Sequence, residues 1–131
     1  MLALAVEGLA ILGEKSQAAR LYPLVRELVA TGAVVHWPIF RFSQTVAGIA
    51  AGAARQWEAA EKHFQIALQQ AESLPHVLEQ AEIRRFHAMM LMDRADRGDR
   101  EKARRLLAEA RDTYSRIGMP RHVEMTQALL D

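Results

Sequence analysis

The chain contains no cysteine, which excludes disulfide staples, thiolate catalysis and cysteine-ligated zinc, and fits a reducing, cytoplasmic setting. Aromatic residues make up only 6% of its 131 positions. Isoleucine, valine and threonine are scarce beside alanine and leucine, a bias that disfavours strands and favours helix throughout. A long apolar run is also missing. The most apolar stretch, residues 1–12, has no basic start, carries Glu7, and falls short of the roughly 20 residues needed to cross a bilayer. It reads as a buried helix, with no membrane partner.

Charge of one sign is lacking too. The formal net charge is +1, so no global field draws the chain to nucleic acid or membrane. Residues 1–83 carry −2, residues 84–121 carry +5, and the last ten carry −2. The arginines of the basic segment alternate with acids (Asp93, Arg94, Asp96, Arg97, Asp99, Arg100), as on a solvated helix face with local ion pairs. With half its residues apolar and a quarter charged, the chain has the composition and length of one globular domain.

Helical stretches are expected at 2–12, stopping at Gly13, and at 16–30, where Pro23 removes a donor and predicts a kink. Residues 33–37 read as an extended connector. Pro38 suits the first position of a third helix, 38–54. Further helices are expected at 56–73, ending before Pro75, and at 77–93. Another runs from an N-cap at Asp99 to 117–118, and a short last one opens at Pro120.

Three segments superimpose. In each a small residue (Ala18, Ala60, Ala103) is followed four positions later by a large one (Tyr22, Phe64, Leu107). Three positions further on comes a small or branched one: Val25, Ala67, Ala110. Positions i, i+4 and i+7 share one helix face, and this small–large–small order lets a helix sit close to a partner. The repeat distances are 42 and 43 residues. Helical hairpins repeated in this way bury their faces by stacking. Unrelated surroundings for the three alanines, or a strand in the middle of the array, would end the case for the repeat.

The middle unit resembles a tetratricopeptide repeat. Gly48, Ala60, Phe64 and Ala67 fall at the spacing of that family's small residue in its first helix and its Ala, aromatic and Ala in its second, with Trp57 as the aromatic that starts the second helix. Gln44 stands where the family has Trp, Pro75 comes late, and the period exceeds the family's 34 residues. The resemblance implies an all-α, right-handed superhelix of about three antiparallel hairpins (units about 1–32, 38–74 and 77–118) with a capping helix at about 120–130. Residues 90–110, with Tyr114 and the Ile117, Gly118, Met119, Pro120 that follow, look like the end of the repeat region of large bacterial signalling ATPases. Those proteins join an ATPase to a cyclase, a LuxR-type DNA-binding domain or a kinase. This likeness implies a fragment of a multidomain signalling or transcriptional regulator. Neither an ATPase phosphate loop nor cyclase residues are present, so none of that chemistry carries over.

The first expected helix is apolar all round, whereas the first helix of a solenoid has a polar outer face. Either a preceding repeat covers it or it pairs with a second copy as a homodimer, with Leu4 and Leu9 in the contact. After Pro120, the residues Val123, Thr126, Gln127 and Leu130 line one side, as in a capping helix.

No residue pattern points to catalysis, a metal or a cofactor. His36, His63, His76, His87 and His122 lack the paired spacing of zinc hydrolases. His63 reads as a surface or hydrogen-bonded core histidine, with a metal pairing to His87 the lesser alternative. Glu58/Glu61 and Glu79/Glu82 read as surface salt-pairing carboxylates beside Lys62, Arg84 and Arg85. Asp93, Asp96 and Asp99 do not follow the calcium-loop pattern. By the repeat alignment, Phe42, Thr45 and Ile49 stand on the concave face, where an apolar partner helix would pack, unless they are core. Arg84, Arg85, Arg104 and Arg105 are the alternative surface, for nucleic-acid phosphates. The expectation is therefore a non-catalytic protein-interaction scaffold, its partner another protein or a neighbouring domain.

Overall fold

The computed structural model of the chain describes residues 1–36 and 40–131. The described residues are all-α apart from one two-residue ladder: α1 (Leu2–Ile11), α2 (Lys15–Arg20), α3 (Tyr22–Ala30), β1 (Val35–His36), β2 (Arg41–Phe42), α4 (Ser43–Ala53), α5 (Trp57–Ser73), α6 (Val77–Arg94), α7 (Asp99–Arg116) and α8 (Pro120–Leu130). Two compact units divide the chain within α5, one of residues 1–70 and one of residues 71–131.

In the first unit the expected second helix is broken in two. Pro23 cannot donate to the preceding turn, so α2 ends at Arg20 and α3 starts again at Tyr22, with Pro23 in its first turn. The expected connector is extended at Val35–His36, which pairs antiparallel with Arg41–Phe42. The start expected at Pro38 lies outside the described residues. The helix itself begins only at Ser43, a correction of five residues. Its physical cause is the ladder, together with Ser43, whose N–H donates to Val34 O at 2.8 Å and whose hydroxyl donates to Ala33 O. This short ladder is a strand among the helices, and it breaks the regularity expected of the first two hairpins.

Helix α4 is the central element of this unit. Ser43 and every residue from Thr45 to Ala51 are buried, and α1, α2 and α3 all pack against it. Its alanines and glycines permit that density. At Gly48 the backbone meets the face of Phe64, where a Cβ would stand 2.8 Å from the ring.

In the second unit α6 is buried over most of its length and α7 lies along it, with α8 packed on α7. The turn between α6 and α7 corrects the expected cap. Gly98, at φ 87°, occupies the N-cap, and Asp99 is the first helical residue. The buried Asp99 carboxylate accepts hydrogen bonds from Arg94 at 2.7 and 2.8 Å and from Asp96 N at 2.9 Å, tying the two helix ends together. The hydrogen bonds from Arg94 hold this carboxyl below its ordinary pKa. Helix α8 opens at Pro120 and buries Thr126, while Arg121 and Glu124 face solvent. All three repeated triplets are buried: Ala18, Tyr22 and Val25; Ala60, Phe64 and Ala67; Ala103, Leu107 and Ala110.

Candidate functional site

An exposed apolar surface of the first unit lies on α1. That helix buries Ala3 and Val6, and its Glu7 turns to the side, where the carboxylate accepts two hydrogen bonds from Arg41 at 2.9 and 3.0 Å. What remains outside is Met1, Leu4, Ala5, Ile11 and Leu12, with Gly8 in open space between them. At 3.6 residues per turn these positions fall on one arc of about 120°. Leu4 is 47% exposed and Leu12 77%. Leu9, on the edge of the arc, is half-buried. The stripe carries no side-chain charge, because the only charged residue of the helix is engaged by Arg41.

The other positions expected to face a partner do not. Phe42, Thr45 and Ile49 are buried at 0%, 0% and 7% exposure, so the face assigned to a partner helix is core. The reason is that α4 is enclosed by neighbours on several sides, whereas the repeat alignment assumed an open concave side.

The expected basic surface is not assembled either. Arg85 is buried and donates to both carboxylate oxygens of Glu82, at 3.1 and 3.3 Å, and to Tyr114 at 3.3 Å, with its guanidinium 4.5 Å from the Phe86 ring centroid. Arg84 is half-buried and pairs with Glu109 at 2.9 Å while donating to Gln80 O at 3.1 Å. Arg104 and Arg105 are exposed. Two of the four arginines are thus held inside the fold, away from any phosphate.

Two polar constellations are held within the units, a buried one that reading the sequence missed and a part-buried one around His63, whose partners the sequence did not name. The first joins Glu82, Arg85 and Tyr114, with the Tyr114 hydroxyl donating to Glu82 and the His122 ring 5.0 Å from that of Tyr114. Glu79 and Glu82, expected on the surface, are both buried, because α6 is covered on most of its sides. Burial raises the Tyr114 pKa, with the negative charge of Glu82 adding to the effect. Burial also disfavours the Arg85 charge, but the adjacent Glu82 and Tyr114 more than compensate, so its pKa lies above the ordinary value. The signal that could have found this set is the apolar company of Glu82: Ala81, Ile83 and Phe86 on the same helix.

In the second, His63 bridges Gln44 and Tyr22. Its Nδ1 lies 2.6 Å from Gln44 Oε1, an acceptor, and so carries the proton; its Nε2 then accepts from the Tyr22 hydroxyl at 3.0 Å. Burial, followed by the nearby charges of Lys62 and Arg26, lowers the His63 pKa, and burial raises that of Tyr22. Both ring nitrogens are used, so His63 has no lone pair to offer a metal. No cluster of His, Asp or Glu able to hold a metal ion occurs among the described residues. Among the same residues, no helix is long and apolar enough to cross a membrane. No family model matches the chain, and no curated protein or solved structure matches it either.

Proposed function

We infer that this chain is a non-catalytic, cytoplasmic protein-interaction module that serves a bacterial multidomain signalling or transcriptional regulator. The observation that carries the reading is the uncharged stripe of α1: Met1, Leu4, Ala5, Ile11 and Leu12 form a continuous apolar face that none of the described residues covers. An apolar helix face in water is stabilised by whatever covers it. The occupant that fits is a second copy. A neutral stripe meets its own two-fold image without opposing like charges, which a charged stripe cannot do.

The repeat reading draws support from the burial of all three small–large–small triplets and from the close seat of Phe64 against Gly48. Against it stands the ladder of Val35–His36 with Arg41–Phe42, a strand in the middle of the array, so the interaction reading rests on the α1 stripe without the repeat.

Sedimentation equilibrium of the wild-type chain beside Leu4→Glu and Leu12→Glu tests the interaction. Both side chains are exposed, so neither change disturbs the core. The expected result is a wild-type dimer at micromolar concentration and monomeric variants. A wild-type monomer at high micromolar concentration, or dimers that survive both substitutions, overturns the reading.

A further inference from the structure

Glu7 is the only charged side chain of α1, and it stands at the edge of the apolar stripe. At about 100° per residue it lies about 40° beyond Ile11 and about 60° beyond Leu4, which close the stripe on that side. Its carboxylate meets the guanidinium of Arg41 from β2. Arg41 Nε donates to Oε2 at 2.9 Å and Nη2 to Oε1 at 3.0 Å, the two-pronged pairing that is strongest between these groups. Little of the pair reaches water: side-chain exposure is 18% for Glu7 and 12% for Arg41.

The partners are 34 residues apart in the chain, so no helical spacing brings them together. The β1–β2 ladder does. Its register sets Arg41 opposite His36 and fixes the backbone from which the guanidinium reaches α1. The strand pair that interrupts the helices thus delivers a cation to the one anion beside the stripe.

We propose that Arg41 conditions the α1 stripe for self-association, by neutralising Glu7 within its own copy before two copies meet. The inference rests on the stripe reading above and adds the residue on which that surface depends. Without Arg41, each Glu7 carboxylate would lose water at the edge of the contact with no partner to replace it. Two such carboxylates, one from each copy, would enter the same interface with like charge. With Arg41 in place the charge is matched inside each copy, and nothing has to be ordered or neutralised across the contact. Arg41 acts through Glu7. The competing role is mechanical, a tie that only fastens α1 to β2.

Sedimentation equilibrium of the full chain compares the wild type with Arg41→Gln, Arg41→Lys and the double variant Glu7→Gln, Arg41→Gln. Arg41→Gln should weaken dimerisation about tenfold per copy, about a hundredfold in Kd. Raising salt from about 0.05 M to about 0.5 M should recover part of that loss, because the exposed repulsion is screened. Arg41→Lys keeps the charge, and the double variant removes anion and cation together, so both should stay within about fivefold of the wild type. Thermal unfolding of each variant is followed alongside, and these last two proteins carry the comparison should Arg41→Gln not fold. A mechanical tie predicts a double variant as weak as Arg41→Gln, and that result overturns the proposal. So does a loss that salt leaves unchanged. A wild-type dimer abolished by Leu4→Glu yet indifferent to Arg41→Gln removes this inference alone. A wild-type monomer removes the stripe reading and this inference with it.

Discussion

Gly48 presents its bare Cα to the ring of Phe64, so closely that a Cβ would lie 2.8–2.9 Å from three ring atoms. Phe64 is fully buried. The contact joins α4 to α5 at the two positions where the tetratricopeptide resemblance places a small residue and an aromatic.

Replacing Gly48 with alanine therefore sets two effects against each other. Helix propensity favours alanine by about 1 kcal/mol, and overpacking against a buried ring costs about 1–3 kcal/mol. The clash prevails, because the ring atoms belong to a stiff side chain in a filled site. A net loss of about 1 kcal/mol is expected in denaturant unfolding. Gly8→Ala is the control: nothing lies within 4 Å of its Cβ position, so the same change in α1 stabilises by about 0.5–1 kcal/mol. Equal effects at the two glycines would refute the close approach.

His63 makes the first unit sensitive to pH. Its folded pKa lies below the ordinary 6.5, because burial and the charges of Lys62 and Arg26 disfavour the imidazolium. Between the folded and unfolded values the unfolded chain binds more protons, so stability there rises with pH. The contribution is fully present above 6.5 and is lost as pH falls through that value toward the folded pKa; below the latter no further loss accrues. Thermal unfolding from about pH 7 to about pH 5 should show a decline in the wild type that His63→Gln reduces. Parallel curves for the two proteins would show that His63 is not held neutral.

How far the sequence revealed the fold can be argued from single positions. The triplets headed by Ala60 and Ala103 were legible because a buried helix face repeats every three to four residues whatever surrounds it, whereas Ala18 and Tyr22, though buried, lie on two helices. The break at Leu21 followed from Pro23, a local steric rule. The late start of α4 was not legible: it depends on Arg41 and Phe42 pairing with Val35 and His36, a non-local contact that no window of residues reports. Whether Phe42, Thr45 and Ile49 stand on a surface or in the core was left open for a related reason. Periodicity shows which residues share a face, but not how many neighbours enclose the helix, and α4 has neighbours on several sides. Glu79 and Glu82 failed in the same way, since charge suggested solvent, and besides Arg85 on the same helix the groups facing Glu82 lie across the fold, on α7 and α8.

The pair Glu82 and Arg85 offers the sharpest test of that buried network. Both side chains are less than a tenth exposed, and each carries a charge that the other neutralises at 3.1 Å. Removing either partner leaves an uncompensated charge inside the unit, at a cost of about 3–5 kcal/mol. Removing both leaves none, and a well-packed apolar pair in their place is close to neutral. The cycle of Glu82→Met, Arg85→Met and the double variant should therefore be strongly non-additive, with the double variant more stable than either single one. Tyr114→Phe, which deletes the hydroxyl shared by both charges, should cost about 1–3 kcal/mol in the wild type and much less in the double variant. Additive losses in urea unfolding would mean that the two charges reach solvent separately, and the network would have to be discarded.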